Sequence, residues 1–445
     1  MFLLAATSTS IGLGNIWKFP YELGLHGGGT FLLVYLPCVV IVGLPLMMAE
    51  IMIGRYGASN PVHAVLRITR RERLSSLWQS IGWLSILVGF LVFSFYSVVA
   101  SWILFYVMQS ATGSFVDVPA EIVQNSFGAL LRNTDQLLIW YTAFVMMVVS
   151  ILTRGIRQGL ERALLILMPL FVLMLLWLCF IAAEIGDFES AKAFMLSVNV
   201  AAIDAELVVS ALTQVLFSLS IGIGAMLMYG AYLGEGRPLA GSAFMVMLFD
   251  TLVALAMGLL IFSIVFAFEL RPDAGTGLIF ETLPVAFSQI NENSVLWSTL
   301  FFALLGVAAL TSGFALLEPA IAWMVRKFDV SRRFSAWFVG GLAWLAGLPS
   351  LLAFSELEFG FYYFGKEYNH GTFDLLNIFT THLLMPLCAF LIVVFAAWRI
   401  SEAQIRKALA IRFQPGYTAW LLISRYVAPS ALFMILMIVL LYPGG

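Results

Sequence analysis

Several polar or ionisable residues stand inside stretches that are otherwise apolar: Asn15, Lys18, Glu50, Tyr96, Gln214, Asp250, the adjacent pair Thr311 and Ser312, and Glu318. Groups of this kind are costly within hydrocarbon and default to functional roles there. Their amide, hydroxyl and carboxylate oxygens are the donors that a hard monovalent cation such as Na⁺ accepts in place of water. Asn15 and Lys18 belong to Ser8-Thr-Ser-Ile-Gly-Leu-Gly-Asn-Ile-Trp-Lys-Phe-Pro20, which holds two glycines and ends on proline. Glycine weakens a helix interior, and proline removes a hydrogen bond and crowds the preceding turn. In a bilayer, backbone freed from its helix is tolerated only where protein or a wet cavity satisfies it. The spacing therefore predicts a broken membrane helix, its proline ending the turn after the break. Loose carbonyls suit a cation, and the N-termini of half-helices suit a carboxylate. Side by side they make a site for a zwitterion and its coupling ions.

A second stretch, Ser218-Leu-Ser-Ile-Gly-Ile-Gly224, repeats the Ser-x-Ser-Ile-Gly-x-Gly pattern of residues 8–14. Paired interruptions in two halves of a chain point to a binding site at mid-membrane. Close packing through small residues is the plainer alternative, but it needs neither Asn15 nor Lys18. The single residues have plain alternatives too. Thr311 and Ser312 can bond back to their own helix, and Tyr96 can serve packing or an interface. Glu50 is read as a cap on loose backbone from the broken helices. Asp250 is harder to dismiss, because an idle mid-membrane carboxylate is expensive.

The elements that must position these groups are apolar helices. The 445 residues are 62% hydrophobic and 11% charged, with mean hydropathy +0.98. Eleven spans follow, at about 2–24, 29–54, 77–111, 135–153, 160–184, 206–232, 240–268, 294–326, 334–354, 373–399 and 417–443. Arg55, Arg67, Arg70, Arg71, Arg73, Arg154, Arg157, Arg162, Arg237, Arg326, Lys327, Arg332, Arg333, Arg399, Arg406, Lys407 and Arg412 fall in one set of connections. Only Arg132, Lys192, Arg271 and Lys366 fall in the other. The bias predicts that the first set is cytoplasmic, with the N-terminus inside and the C-terminus outside an inner (cell) membrane. The opposite connections are acid-rich (Glu184, Asp187, Glu189, Glu281, Glu292, Glu356, Glu358), which reads as solvated surface. Of these, the longest, at about 112–134, 185–205 and 269–293, are expected to carry short surface helices or a lid. Cys38, Cys179 and Cys388 are isolated, the four histidines are scattered, and no nucleotide or nucleic-acid motif occurs. Any uphill transport must then draw on an ion gradient.

The run Ser10-Ile-Gly-Leu-Gly-Asn-Ile-Trp-Lys-Phe-Pro-Tyr21, with Gly27-Gly-Gly-Thr-Phe31, Gly43-Leu-Pro45, Glu50 and Gly54-Arg-Tyr-Gly57, resembles the neurotransmitter:sodium symporter family. The likeness is greatest to its bacterial amino-acid transporters of the leucine-transporter (LeuT) fold, and it extends over essentially the whole chain. It implies an all-α polytopic protein of one domain: two inverted five-helix repeats at about 1–184 and 206–399, helices 1 and 6 broken, and an extra helix at 417–443.

Residue by residue, the resemblance implies a first sodium site from the Ser10 carbonyl, Asn15, Ser218 and Asp250. It implies a second from the carbonyls of Ser8, Ile11 and Ala308 with the hydroxyls of Thr311 and Ser312. Backbone around Gly12 and Gly14, with Tyr96, would hold a substrate carboxylate. Carbonyls near Ser10, Phe217 and Ser220 would meet the amino group. Val92, Phe217, Ser220, Ile223, Ser312 and Leu316 would line the side-chain pocket, with Phe217 also the lid. There are departures. The family's outer Arg–Asp gate is here Lys18 with Asn377, and Asp374 lies about one turn away. Lysine lacks the bidentate fork of arginine, so a weaker gate or a re-pairing with Asp374 is expected. At the opposite gate Tyr232 matches, Glu318 is nearby, and Arg326 stands where an acid is usual. The family's N-terminal Trp and Arg are not found, since the sequence begins within the apolar part of the first helix. Tyr35, Gln214 and Ser218 match chloride ligands, but Ala254 replaces the last one. Asp250, one turn earlier, would supply that charge, so chloride is not expected to be required.

The expectation is a sodium-coupled symporter, not an enzyme, that imports a neutral, hydrophobic amino acid by alternating access. The alternatives are an ion-coupled symporter of the same fold for another organic solute, or a polytopic receptor. Neither the exact substrate nor the oligomeric state is set by these residues.

Overall fold

The computed structural model describes residues 2–116, 118–234, 237–272, 277–290, 293–363, 366–409 and 414–441. Glu292 and Arg412 of the charge pattern lie outside them. Among the described residues, nine helices are long and apolar enough to cross a membrane. They are Gly29–Gly57, Ser76–Ala111, Thr134–Thr153, Ile156–Ile185, Leu239–Ala267, Ser294–Phe328, Arg332–Leu352, Gly371–Arg399 and Gln414–Leu441. In lipid only an unbroken hydrogen-bond ladder satisfies such segments internally. The two remaining expected spans, 1 and 6, are not in that number because each is interrupted. Span 1 consists of Phe2–Ser10, a π-helical turn Gly14–Lys18 and Phe19–Leu25. Span 6 consists of Ala205–Ser218 and Ala225–Gly230.

Spans 3 and 8 form the centre. Their apolar windows are 83% and 78% buried, against 39% for spans 4, 5 and 11, which face outward. Span 8 packs along span 3, and span 9 packs on spans 3 and 4. Against this group lie spans 1 and 7, in contact with one another, and Ala225–Gly230 of span 6, resting on Leu44–Gly57 of span 2. The three longest connections carry the helices Ala120–Arg132, Phe188–Leu196 and Leu283–Ser288. The sequence reading did not foresee the two-stranded hairpin between spans 9 and 10, where Phe361–Tyr363 pairs antiparallel with Lys366–Tyr368.

The two breaks share a motif but not a geometry. In the first, the α-ladder stops at Ile11, whose N–H still reaches Thr7 O at 2.9 Å. Asn15 N and Ile16 N then both turn to Gly12 O, at 3.1 and 3.3 Å. Pro20 does not end a turn, as expected; it sits in the first turn of Phe19–Leu25. The helix runs on unbroken from the π turn, whose wider winding makes room for the ring where the proline forgoes a hydrogen bond. In the second break Ser220, Gly222 and Gly224 take φ of +55, +86 and +79°. The equivalent Ser10 remains helical. Left-handed backbone costs a non-glycine residue about 1–2 kcal/mol. Ser220 holds it while its Oγ donates to Thr9 O at 3.1 Å, tying one break to the other.

A candidate substrate and ion site between two helix breaks

A small cavity of about 30 Å³ lies between the breaks. All ten residues expected to meet a substrate line it: Ser10, Gly12, Gly14, Val92, Tyr96, Phe217, Ser220, Ile223, Ser312 and Leu316. Thr9, Leu13 and Met385 complete the wall. The glycines are required by proximity. A Cβ at Gly12 would collide with Ser312 Oγ, and one at Gly14 would press on the Phe217 ring at 3.0 Å and on Ser218 Cα at 3.3 Å. Backbone of span 1 is thereby exposed to the cavity where any side chain would fill it. The Tyr96 hydroxyl donates to Ala309 O at 3.3 Å. Among the described residues no charged side chain lines the wall; Val92, Ile223, Leu316 and Met385 supply an apolar end.

Beside the cavity is a fully buried carboxylate. Asp250 Oδ1 accepts from Asn15 Nδ2 at 2.8 Å, and Oδ2 accepts from Ser218 Oγ at 2.7 Å. Asn15 Nδ2 also donates to Asp250 O at 2.9 Å. Three of the four residues expected at the first sodium site are thus in contact, and Asp250 bridges the two broken spans. The Gln214 amide donates to Gly14 O at 2.7 Å. Among the described residues, its own oxygen and the buried Tyr35 hydroxyl have no hydrogen-bond partner. Ala254 is buried on the same helix as Asp250.

Thr311 and Ser312 behave differently from one another. Thr311 Oγ1 bonds back to Ala308 O at 3.0 Å within its own helix. Ser312 Oγ instead reaches Thr9 O at 3.3 Å, across to the break. Thr9, absent from the expected ligands, is therefore a junction: its carbonyl accepts from both Ser312 and Ser220. The only sequence sign was its place between Ser8 and Ser10. Glu50 does what was read for it. Its Oε1 accepts from Gly222 N at 2.6 Å, satisfying backbone that the second break leaves loose.

Phe217 separates this cavity from a larger one of about 180 Å³ on the side away from the arginine-rich connections. Lys18, Asp374 and Asn377 all line that outer cavity. The expected pairing of Lys18 with Asp374 or Asn377 is not made. Lys18 Nζ lies 5.0 Å over the Phe217 ring instead. Asp374 Oδ2 accepts from His370 N at 3.0 Å, at the start of its own helix. A compact ammonium gains from the ring face without the two-pronged geometry that an arginine would impose.

On the arginine-rich side, Glu318 and Arg326 find partners other than those expected. Glu318, 1% exposed, is gripped by Arg332, whose Nη1 and Nη2 lie 3.0 and 2.5 Å from its two oxygens. Arg332 Nε also donates to Leu152 O at 2.9 Å. These partners belong to spans 4, 8 and 9, so Glu318 does not link that group to the broken spans as a gate residue should. Arg326 makes a crossing link, its Nη1 donating to Ser59 Oγ at 2.8 Å. Tyr232 is 39% exposed nearby in sequence to the second break. Among the described residues no His, Cys, Asp and Glu cluster could hold a metal of the transition type.

Comparison with known proteins agrees with this geometry. The model of the sodium:neurotransmitter symporter family matches residues 1–121 and 122–443. The chain is 30% identical to the uncharacterized sodium-dependent transporter YhdH of Bacillus subtilis, over 98% of this chain and 95% of that one. It is 28% identical to the uncharacterized sodium-dependent transporter MJ1319 of Methanocaldococcus jannaschii, over 91% and 82%. Its fold is similar to the crystal structure of MhsT in complex with L-phenylalanine, with TM-score 0.89, 34% identity, and coverage of 98% of this chain and 97% of that chain. Family match, full-length relatives and the LeuT fold with its broken helices coincide, and the chain belongs to the sodium:neurotransmitter symporter family: a multi-pass, sodium-coupled membrane transporter and not an enzyme.

Proposed function

We propose that the protein imports a neutral, hydrophobic amino acid together with sodium. One observation carries this reading: backbone from two helix breaks and an uncharged, apolar end enclose the same cavity. Half-helix termini and loose carbonyls serve a zwitterion's two charges. Val92, Ile223 and Leu316 offer no partner to a charged side chain, whose burial alone would be costly. MhsT, the structural relative, is seen with L-phenylalanine.

Two sodium sites fit the donor sets. Ser10, Asn15, Ser218 and Asp250 would hold one ion beside the substrate carboxylate. Ser8, Ile11, Ala308, Thr311 and Ser312 would hold the other, between spans 1 and 8. The arginine-rich connections would be cytoplasmic, with the N-terminus inside and the C-terminus outside. The whole chain would act as one domain of two inverted repeats, about 1–184 and 206–399. Spans 1, 2, 6 and 7 would move against spans 3, 4, 8 and 9. Substrate would enter from the outer cavity as the Phe217 ring turns aside. Each charge moved inward adds about 2.3 kcal/mol per 100 mV of membrane potential.

The test is competition against a radiolabelled hydrophobic amino acid in proteoliposomes, with sodium or potassium outside. Leucine, methionine and phenylalanine should compete well and only in sodium; glutamate and lysine should not. A preference for either charged amino acid would refute the pocket assignment.

A further inference from the structure

At the arginine-rich face, where the end of span 10 meets span 11, an open groove of about 370 Å³ is lined by Val394, Trp398, Arg399, Arg425 and Pro429. It lies on the outside of the molecule, remote in the fold from the transport cavity. Arg425 lies within the helix Gln414–Leu441, among exposed Leu422, Tyr426, Val427 and Phe433. An arginine there must have a reason.

The groove is built and its charges are aimed. Arg425 Nε donates to Ala397 O at 2.9 Å, and Trp398 Nε1 donates to Arg425 O at 3.1 Å. These bonds hold the two helices together and fix Arg425 level with the last turn of span 10. The Arg425 guanidinium lies 5.9 Å from the Trp398 ring, and its Nη2 meets Glu402 at 3.1 Å. Glu402 is the carboxylate paired here, and its side chain is half exposed. Arg399 is the last residue of span 10 and lies 5.5 Å over Trp78. Among the described residues it has neither an ion pair nor a hydrogen-bond acceptor. Two guanidiniums against one carboxylate leave a net positive groove, with an apolar floor of Val394 and Pro429 and an aromatic edge.

We infer that this groove binds the phosphate of an anionic phospholipid, its acyl chain lying along Val394, Pro429 and the exposed face of span 11. Guanidinium donors match phosphate oxygens bidentately. Trp398 and Arg399 are in the last turn of span 10, with Arg425 bonded to that turn, and arginine and tryptophan at the end of a membrane helix suit the headgroup region. Basic pockets between membrane helices on an arginine-rich side suit anionic headgroups. A soluble phosphate would gain nothing from the apolar floor, and a neutral headgroup would leave the groove's net charge unmatched.

The experiment uses the full chain purified in mild detergent, with added phosphatidylglycerol, phosphatidylcholine or inorganic phosphate. Lipid retention is read by native mass spectrometry and stability by thermal midpoint. Phosphatidylglycerol should be retained and should raise the midpoint, phosphatidylcholine much less so, and millimolar phosphate not at all. Arg399→Gln should lower phosphatidylglycerol retention at least fivefold, and Arg399→Lys should restore part of it. Should Arg399→Gln fail to fold, Val394→Trp, which fills the floor, should produce the same loss. Equal retention of the two lipids, unchanged retention in Arg399→Gln, or a shift produced by phosphate alone would each overturn the site.

Discussion

Arg326 Nη1 donates to Ser59 Oγ at 2.8 Å, joining the end of span 8 to the turn that follows span 2. Asn60 Nδ2 donates to Ala322 O at 3.2 Å, one turn earlier on span 8. These two bonds cross between the two groups of helices, whereas the stronger ion pair, Arg332 with Glu318, stays within one of them. On the arginine-rich side, hydrogen bonds and not an ion pair thus make these side-chain links between the two groups. A charge-assisted bond of this kind contributes about 1.5–3 kcal/mol. Such a link can hold a state closed and still release it during a transport cycle.

Ser59→Ala removes the acceptor and leaves the charge of Arg326 in place. Losing one such bond should favour opening on that side by about tenfold or more, since tenfold corresponds to about 1.4 kcal/mol. A cysteine placed at Ser8, 0% exposed here, would report it in a background without Cys38, Cys179 and Cys388. Its alkylation from the arginine-rich side should accelerate severalfold in Ser59→Ala. An unchanged rate would mean that the bond is incidental to closure.

Glu318 and Arg332 should prove structural. Removing either partner leaves a buried or partly buried charge alone, a loss of about 3 kcal/mol or more. Glu318→Gln and Arg332→Gln should each lower the thermal midpoint, and the double variant should lose much less than the sum. Additive losses would show that the two are not coupled. A double variant of normal stability but lacking transport would return Glu318 to the gates.

The proposed second sodium site gives a prediction that the two hydroxyls divide. Thr311 Oγ1 already turns back on its own helix, but Ser312 Oγ reaches Thr9 O across the interface. Thr311→Val with Ser312→Ala removes two of the five oxygens assigned to the ion. Sodium-dependent substrate binding, followed by scintillation proximity, should weaken at least tenfold. Normal sodium affinity in the double variant would leave Thr311 as helix back-bonding and Ser312 as a simple strut.

What the sequence made legible was chemistry held in local pattern. The two Ser-x-Ser-Ile-Gly-x-Gly stretches located both breaks, and a mid-membrane carboxylate at Asp250 could hardly be idle. The pocket residues followed from the resemblance, and all ten meet around one cavity. What it hid was partnership between distant residues. The Thr9 carbonyl has no side-chain signature, and its role appears only when Ser220 and Ser312 arrive from two other spans. Arg326 looked like a misplaced gate charge until Ser59 came beside it. Lys18 suggested a carboxylate partner, yet the neighbour is the Phe217 ring, since a flexible ammonium can choose either. Pro20 misled for a related reason: its cost depends on whether the turn before it closes as α or π.

Asp250 carries the sharpest prediction. Its two oxygens are each taken by one donor, Asn15 Nδ2 at 2.8 Å and Ser218 Oγ at 2.7 Å. Asp250→Asn keeps the shape and can keep both bonds, because an amide oxygen can still accept from Asn15 and a serine hydroxyl can turn to accept. The variant therefore deletes charge while sparing the fold, which makes it a clean test. An ionised Asp250 beside the proposed first sodium site would do the work of a bound chloride, one turn from Ala254, where the resemblance puts the missing ligand. The Tyr35 hydroxyl, buried with no hydrogen-bond partner among the described residues, and Ser218 remain as donors that an anion could use once the carboxylate is gone. Wild-type uptake in proteoliposomes should then proceed with gluconate replacing chloride. Asp250→Asn should be inactive in gluconate, with any activity it regains requiring chloride, while its thermal midpoint changes by only a few degrees. Full uptake by Asp250→Asn without chloride, at unchanged sodium affinity, would show that the carboxylate serves only to bind the two breaks together.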